Sequence, residues 1–183
     1  GMSGFHSITR VPYAFEPEMG AEALSLFAAL PAEQAELVSG AAGCSPYLKT
    51  LMGKEARWCE DAMADPESAL STLYDDLRET PAKALPDALR QAKRRVALIT
   101  GLADLGGVWP LETVTRVLTD FADLSVGLAL KATIGAEITR GKLPGMGEDD
   151  VADAGGMTVL AMGKMGAHEL NYSSDIDLIC LFD

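Results

Sequence analysis

Two aspartates near the C-terminal end of the sequence are the side chains best placed to do chemistry. Asp175 and Asp177 are separated only by Ile176, so on an extended strand both carboxylates leave the same face. Two adjacent carboxylates repel each other unless a divalent cation lies between them, and Mg²⁺ prefers such oxygen ligands. The spacing therefore predicts that Asp175 and Asp177 are catalytic residues that bind Mg²⁺. A solvated strand face with two acidic residues is the alternative.

A glycine-containing loop upstream of the aspartates is suited to binding phosphate. Gly163 and Gly166 flank Lys164 directly after an apolar run. Glycines let the backbone N–H groups approach a phosphate closely, and the lysine adds positive potential. Ser173 and Ser174 precede the first aspartate and either shape the loop or contact phosphate. All five residues are predicted nucleotide-binding or phosphate-binding residues, although a purely structural turn remains the alternative.

Three apolar stripes at helical spacing lie upstream of this motif. Asp65 followed by Pro66 predicts a helix start, and leucines three and four residues apart continue that helix. A second helix is predicted over residues 85–99, with glycines 106–107 as its end. A third begins near Pro110 and runs to about residue 140. Residues 66–140 are therefore expected to form the stable core.

The chain divides into four segments by composition. These are a mobile or loosely packed lead-in (1–20), an α-helical domain (21–140), a linker rich in Gly and Asp (141–155) and a final segment that bears the motif (156–183). Within the helical domain, Pro31, Gly40, Gly43 and Pro46 are interpreted as breakers between short helices. Two apolar runs, 157–162 and 176–182, predict strands, so the expected fold class is α+β.

The charge balance excludes some classes of partner. Fifteen Lys and Arg against 27 Asp and Glu give a formal net charge of −12, which argues against nucleic-acid binding because phosphate backbones are bound through basic residues. No apolar run reaches the roughly 18 residues of a membrane helix, and no signal peptide is visible. No membrane contact and a cytoplasmic location are expected. Three cysteines and two histidines predict neither a disulfide framework nor a zinc site.

The order of these features resembles the nucleotidyltransferase superfamily typified by DNA polymerase β. Its pattern is an apolar residue, a glycine, a small residue, a spacer and then Asp-apolar-Asp/Glu-apolar; Lys164 departs from it. That departure narrows the resemblance to one branch, the bifunctional glutamine synthetase adenylyltransferase/adenylyl-removing enzymes. Both halves of that enzyme carry G-K-L-G-G-x-E-L followed by S-D-[IL]-D-L, and this chain reads GKMGAHELNYSSDIDLICLFD. Met165 replaces the leucine and Ala167 the second glycine.

The resemblance implies a fold and a reaction. The fold would be an N-terminal α-helical array followed by the first two strands of a truncated polymerase-β-like nucleotidyltransferase sheet. The wording NYSSDID resembles the N-terminal half, which removes AMP from a tyrosine of adenylylated glutamine synthetase, using inorganic phosphate and releasing ADP. The family's third carboxylate comes from a later strand, so these 183 residues are expected to be inactive by themselves.

The same resemblance implies cofactors and partners. Mg²⁺ is the expected cofactor, and the expected partners are glutamine synthetase, a nucleotide (ADP or ATP), inorganic phosphate and a PII-type signalling protein. A different class of function stays open. In that alternative the helices form a protein-interaction module that docks glutamine synthetase or a regulatory signalling protein, and the two aspartates are incidental. Titration with nucleotide and Mg²⁺ distinguishes the two, because a docking module binds protein without metal.

Overall fold

The computed structural model describes residues 4–139, which form helices connected by short loops. A short 3₁₀ helix at Phe5–Ser7 comes first. Six α-helices follow it in the described part of the chain: α1 (Pro17–Leu24), α2 (Ala32–Cys44), α3 (Pro46–Ala64), α4 (Pro66–Glu79), α5 (Leu85–Leu105) and α6 (Leu111–Thr139). The helices predicted after Asp65 and near residues 85 and 110 are therefore confirmed.

Local sequence signals set the helix ends. The carboxylate of Asp65 accepts a hydrogen bond from the backbone N–H of Ser68 at 3.1 Å, and this confirms the predicted cap of α4. In α3 the hydroxyl of Ser45 accepts from the N–H of Leu48 at 3.1 Å. Pro46 occupies the first turn of α3, where its missing N–H costs no helical hydrogen bond. Pro46 thus marks a boundary between two helices, as predicted, although α3, which it begins, has 19 residues and is not short.

Helix α5 lies at the centre of the packing and contacts α2, α3, α4 and α6. Its buried residues include Leu98, Ile99 and Leu102, each 0% exposed. Helices α1 and α2 pack closely against each other on one side of this core. No helix between residues 4 and 139 is both long and apolar enough to cross a membrane.

The α+β class predicted from the sequence is wrong for the part of the chain that the structure describes. Residues 4–139 contain helices and no strand. The physical reason is that the apolar stripes repeat at helical spacing, so the helices bury them against one another and the core closes without a sheet. The two predicted strands, 157–162 and 176–182, lie outside the described residues, as does the predicted linker.

Residues 4–16 pack against the helices, unlike the loosely packed lead-in expected from the sequence. The side chain of Phe5 is 1% exposed and belongs to the core. The backbone N–H of Thr9 donates to the carbonyl oxygen of Gly106 at 2.9 Å, and that of Glu16 donates to Gly43 at 2.9 Å. Residues 8–16 lack helical periodicity because they form no helix, yet burial of Phe5 and these hydrogen bonds hold the lead-in in place.

Candidate functional site

Each site residue predicted from the motif lies outside the described residues. These are Gly163, Lys164, Gly166, Ser173, Ser174, Asp175 and Asp177. The described chain ends with helix α6 at Thr139, upstream of the motif. The described geometry is therefore that of the helical part, which precedes the motif-bearing segment in the chain.

A groove lies between the beginning of α5 and the C-terminal half of α6. Its volume is about 720 Å³. Leu85, Pro86 and Leu89 form one wall, and alanines 129, 132 and 136 form much of the other. Small alanine side chains on α6 leave room between the two helices, and the mainly apolar lining is suited to apolar side chains. Lys83 and Glu137 also line the groove.

A buried ion network joins α3 to α5. The carboxylate of Glu55 is 3% exposed and bridges two guanidinium groups. Its Oε2 accepts from Nε of Arg94 at 3.0 Å, and its Oε1 accepts from Nε of Arg95 at 2.8 Å. The Arg95 guanidinium carbon lies 5.5 Å from the ring centroid of Trp58, within the range of a cation–π interaction. Both carboxylate oxygens are thus satisfied, which a buried charge requires.

Helix α3 is distorted at the residue that carries this carboxylate. Glu55 has φ −127° and ψ 19°, outside the helical region. The distortion lies two residues after Gly53, which has weak helix propensity. The sequence pattern did not predict this network. The available signals were a glutamate at helical spacing from the apolar residues Leu51, Met52 and Cys59 of α3 and the run of basic residues 93–95 in α5.

The C-terminal end of α5 is held by an arginine from the lead-in. Arg10 donates from Nη2 to the carbonyl oxygen of Asp104 at 2.7 Å and from Nε to that of Leu105 at 3.2 Å. A cation at this position satisfies free helix carbonyls and interacts favourably with the helix dipole. Burial raises the pKa of the Asp104 side chain, and the nearby positive charge of Arg10 opposes that shift.

A second cavity, of about 250 Å³, lies between α4 and α6. Tyr74 lines it and stacks on Phe121, with the ring centroids 6.2 Å apart. Its buried hydroxyl has no hydrogen-bond partner among residues 4–139. Burial raises the pKa of the Tyr74 phenol well above its ordinary value, and the negative charge of Asp120 raises it further. The phenol therefore stays neutral and cannot act as a base near neutral pH.

Carboxylates and guanidinium groups share the second cavity. Glu67 and Asp120 line it together with Arg78 and Arg116. Opposite charges in equal number leave it without a strong preference for anions or cations. Among residues 4–139, no three or more His, Cys, Asp or Glu side chains are grouped as a metal ion requires.

Comparison with known proteins assigns a family to most of the chain. The model of the family described as glutamate-ammonia ligase adenylyltransferase matches residues 27–183, which include α2 to α6 and the complete Gly-Lys-Met-Gly and Asp-Ile-Asp motif. No solved structure matches the chain.

Curated relatives of this chain carry the name bifunctional glutamine synthetase adenylyltransferase/adenylyl-removing enzyme, and three of them are compared with it as follows. The one from Bradyrhizobium sp. strain BTAi1 is 42% identical over 175 residues, which are 92% of this chain and 18% of the relative. The one from Rhodopseudomonas palustris strain TIE-1 is 40% identical over 173 residues (91% and 17%). The one from Xanthobacter autotrophicus is 40% identical over 149 residues (79% and 15%). The chain thus spans less than a fifth of each relative's length.

Proposed function

Since this chain belongs to the glutamate-ammonia ligase adenylyltransferase family, we propose that it contributes to the site that removes AMP from adenylylated glutamine synthetase. The observation that carries the proposal is the motif GKMGAHELNYSSDIDL, which lies within the matched residues 27–183. The relatives' name includes both addition and removal of the adenylyl group. The wording NYSSDID supports the removing half rather than the adding half.

The proposed reaction is phosphorolysis of a phosphodiester. An oxygen of inorganic phosphate attacks the phosphorus of the AMP group that esterifies a tyrosine of glutamine synthetase. A new P–O–P bond forms, the bond from phosphorus to the tyrosine oxygen breaks, and the tyrosine oxygen takes up a proton. The products are ADP and unmodified tyrosine. Both reacting groups are anionic, so the site must supply positive charge and hold the two groups in line.

The motif residues fit these requirements. Asp175 and Asp177 offer hard carboxylate oxygens, the donor type that Mg²⁺ prefers. When bound there, Mg²⁺ would supply the positive charge that lets two anions approach each other. We propose that Gly163 and Gly166 hold phosphate oxygens through their backbone N–H groups while Lys164 adds a cation. The hydroxyls of Ser173 and Ser174 are proposed as further hydrogen-bond donors to phosphate.

The partners of the whole protein follow from the same proposal. They are glutamine synthetase, a nucleotide, inorganic phosphate and a PII-type regulatory protein. The relatives' name mentions glutamine synthetase and adenylyl groups, which supports the first two. A cytoplasmic location is proposed because the substrates are a nucleotide, inorganic phosphate and a metabolic enzyme.

Substitution of the two aspartates tests the proposal in the full-length protein that contains this chain. Asp175→Asn and Asp177→Asn each keep the side-chain size and remove one metal-binding charge. We expect each to slow phosphate-dependent release of ADP by more than about 100-fold, because the charge stabilisation supplied by a metal is worth several kcal/mol. Asp153→Asn, an acidic residue outside the motif, is the control and should keep the rate.

Two outcomes would contradict the assignment. A nearly normal rate of ADP release in either variant would exclude the proposed role of that aspartate. Loss of adenylylation with ADP release intact would place the chain in the half that adds AMP.

Docking of another protein by the helical part is a second candidate function. It is favoured by large apolar side chains that are exposed on the described residues, among them Tyr13 and Phe15, because such exposure marks interaction surfaces. Binding that survives removal of Mg²⁺ by EDTA and needs no nucleotide would support this function. Binding that requires both would support the catalytic one.

A further inference from the structure

The C-terminal half of α6 is apolar on more than the face that meets the core. Leu124 and Leu128 pack against the core. Leu130 comes two residues later, which is about 200° around a helix, and Ile134 follows Leu130 about one turn further on. A helix that is apolar on all sides is normally buried, yet none of residues 123–137 is buried. This half of α6 therefore presents apolar surface that a further segment can cover.

The groove between α5 and α6 is the concave part of this surface. It has a volume of about 720 Å³ and is lined mainly by apolar side chains of both helices, among them Leu85, Leu89 and alanines 129, 132 and 136. Lys83 and Glu137 add one charge of each sign, so the groove does not select a cation or an anion. Its shape and lining fit an uncharged segment with apolar side chains.

A segment of the same chain with these properties follows α6. Residues 157–162 read Met-Thr-Val-Leu-Ala-Met and contain no charged side chain. They are separated from the end of α6 by residues 140–156, and a glycine-rich connection of this length spans about 20 to 25 Å. The groove follows α6 from residue 129 to residue 137, which is about 12 Å of helix. The connection is therefore long enough for residues 157–162 to return to the groove.

Charge and tethering favour this segment over a second copy of the chain as the occupant. Each copy carries a formal charge of −12, so two copies repel each other. Residues 157–162 are attached to α6 itself, and a short connection gives an attached segment an effective concentration on the order of millimolar at its binding site.

We propose that residues 157–162 dock in the groove between α5 and α6, with their apolar side chains against Leu89 and the alanines of α6. Gly163 follows this segment directly, so the docked segment holds the beginning of the predicted phosphate-binding loop against the two helices. The helical part thereby positions the motif. The docking goes beyond the proposed function, and only its consequence for the loop rests on that function.

Cross-linking within the 183-residue protein tests the docking. One cysteine replaces Leu160, and a second replaces a residue of α6. Cys44 and Cys180 are changed to serine to remove their reactivity, and Cys59 is kept because it is buried. A short bismaleimide joins the two introduced cysteines, and denaturing gel electrophoresis separates cross-linked single chains from cross-linked dimers.

Two neighbouring positions of α6 form a matched pair. Ala132 lines the groove, whereas Lys131 is exposed and lies about 100° away around the helix. Both are equally close to residue 160 along the chain, so tethering alone treats them alike. We expect Ala132→Cys with Leu160→Cys to cross-link at least about 10-fold faster than Lys131→Cys with Leu160→Cys, because docking raises the local concentration at the groove. Each rate is divided by the rate at which N-ethylmaleimide modifies the same α6 cysteine.

A charge introduced into residues 157–162 gives an independent measurement. Leu160→Asp places a carboxylate against the apolar groove, so we expect it to lower the melting temperature by at least about 3 °C. Val151→Asp, between α6 and the docked segment, is the control and should leave the melting temperature unchanged. Circular dichroism during heating follows the helices in both variants.

Four results would overturn the proposal. Equal cross-linking rates of the two pairs, or no cross-link in either pair, would show that residues 157–162 do not lie in the groove. Cross-linked dimers in place of cross-linked single chains would identify a second copy as the occupant. An unchanged melting temperature of the Leu160→Asp variant would show that the segment does not stabilise the helices.

Discussion

Glu55 illustrates what a single buried carboxylate requires. Its side chain is 3% exposed, and both of its oxygens are bound by guanidinium groups. Withdrawing a charge from water costs several kcal/mol, so a buried carboxylate is retained only where its partners compensate for that loss. Arg94 and Arg95 are 31% and 23% exposed, and they can therefore keep part of their hydration. The network connects α3 to α5 at the point where α3 is distorted.

We expect Glu55→Gln to lower the free energy of unfolding by about 2 to 3 kcal/mol. Breaking a buried ion pair by removing one partner typically costs about 3 to 5 kcal/mol, and the partial exposure of both arginines reduces that cost. Urea unfolding followed by circular dichroism gives the value, with the exposed Glu36→Gln as a control. A change below about 0.5 kcal/mol in the Glu55 variant, as for an ordinary surface substitution, would contradict the importance of the network.

Two glycines of α2 have a packing role that their residue type alone did not predict. Gly40 and Gly43 were interpreted as helix breakers, yet both lie inside the 13-residue helix α2. Glycine weakens a helix by about 1 kcal/mol relative to alanine. Here the missing side chains let the lead-in approach the helix backbone, and burial of the lead-in compensates for the weaker helix propensity.

Alanine substitution of two helical glycines distinguishes the effect of helix propensity on stability from the effect of close packing. Gly43→Ala should destabilise the protein despite its better propensity, because the new Cβ would lie 2.6 Å from Ala14 and overpacking typically costs about 1 to 3 kcal/mol. Gly53→Ala, in α3, meets nothing within 4 Å and should stabilise it by up to about 1 kcal/mol. Thermal unfolding of the two variants under identical conditions compares them. Stabilisation by both would contradict the close packing of the lead-in.

On the scale of the whole molecule, the core extends beyond the residues 66–140 expected from the sequence. It begins at Phe5 and includes residues of α2 and α3 such as Leu37 and Met52, both 0% exposed. Only the tertiary structure shows that α5 contacts helices on several sides. Loss of packing at the centre should therefore affect all described helices together.

The loss of stability caused by three leucine-to-aspartate substitutions should increase with the burial of the leucine that is replaced. Leu118 is 2% exposed, so Leu118→Asp introduces an unpaired buried charge and should cost more than about 4 kcal/mol or prevent folding. Leu89 is half-buried at the edge of the core, and its substitution should have a smaller effect. Leu111→Asp, at a site 67% exposed, should be nearly neutral. Melting temperatures in any other order would contradict the placement of α6 against the core.

The sequence alone determined the features that depend on neighbouring residues. The cap at Asp65, the starts of α4, α5 and α6, and the end of α5 at Gly106 follow from local hydrogen bonds and from helical periodicity. The motif around Asp175 and Asp177 is likewise defined by spacing and residue type, and its catalytic role stays a prediction. The family assignment indicated by that motif is confirmed.

The tertiary structure decided the features that join distant parts of the chain. The seating of residues 9–16 on α2 and α5 and the bridge from Glu55 to α5 are such contacts. The packing of the apolar stripes of the helices against one another within residues 4–139 is a further contact of this kind. A sequence pattern reports which face of an element is apolar but not which partner covers it, because the partner is chosen by shape and distance in three dimensions.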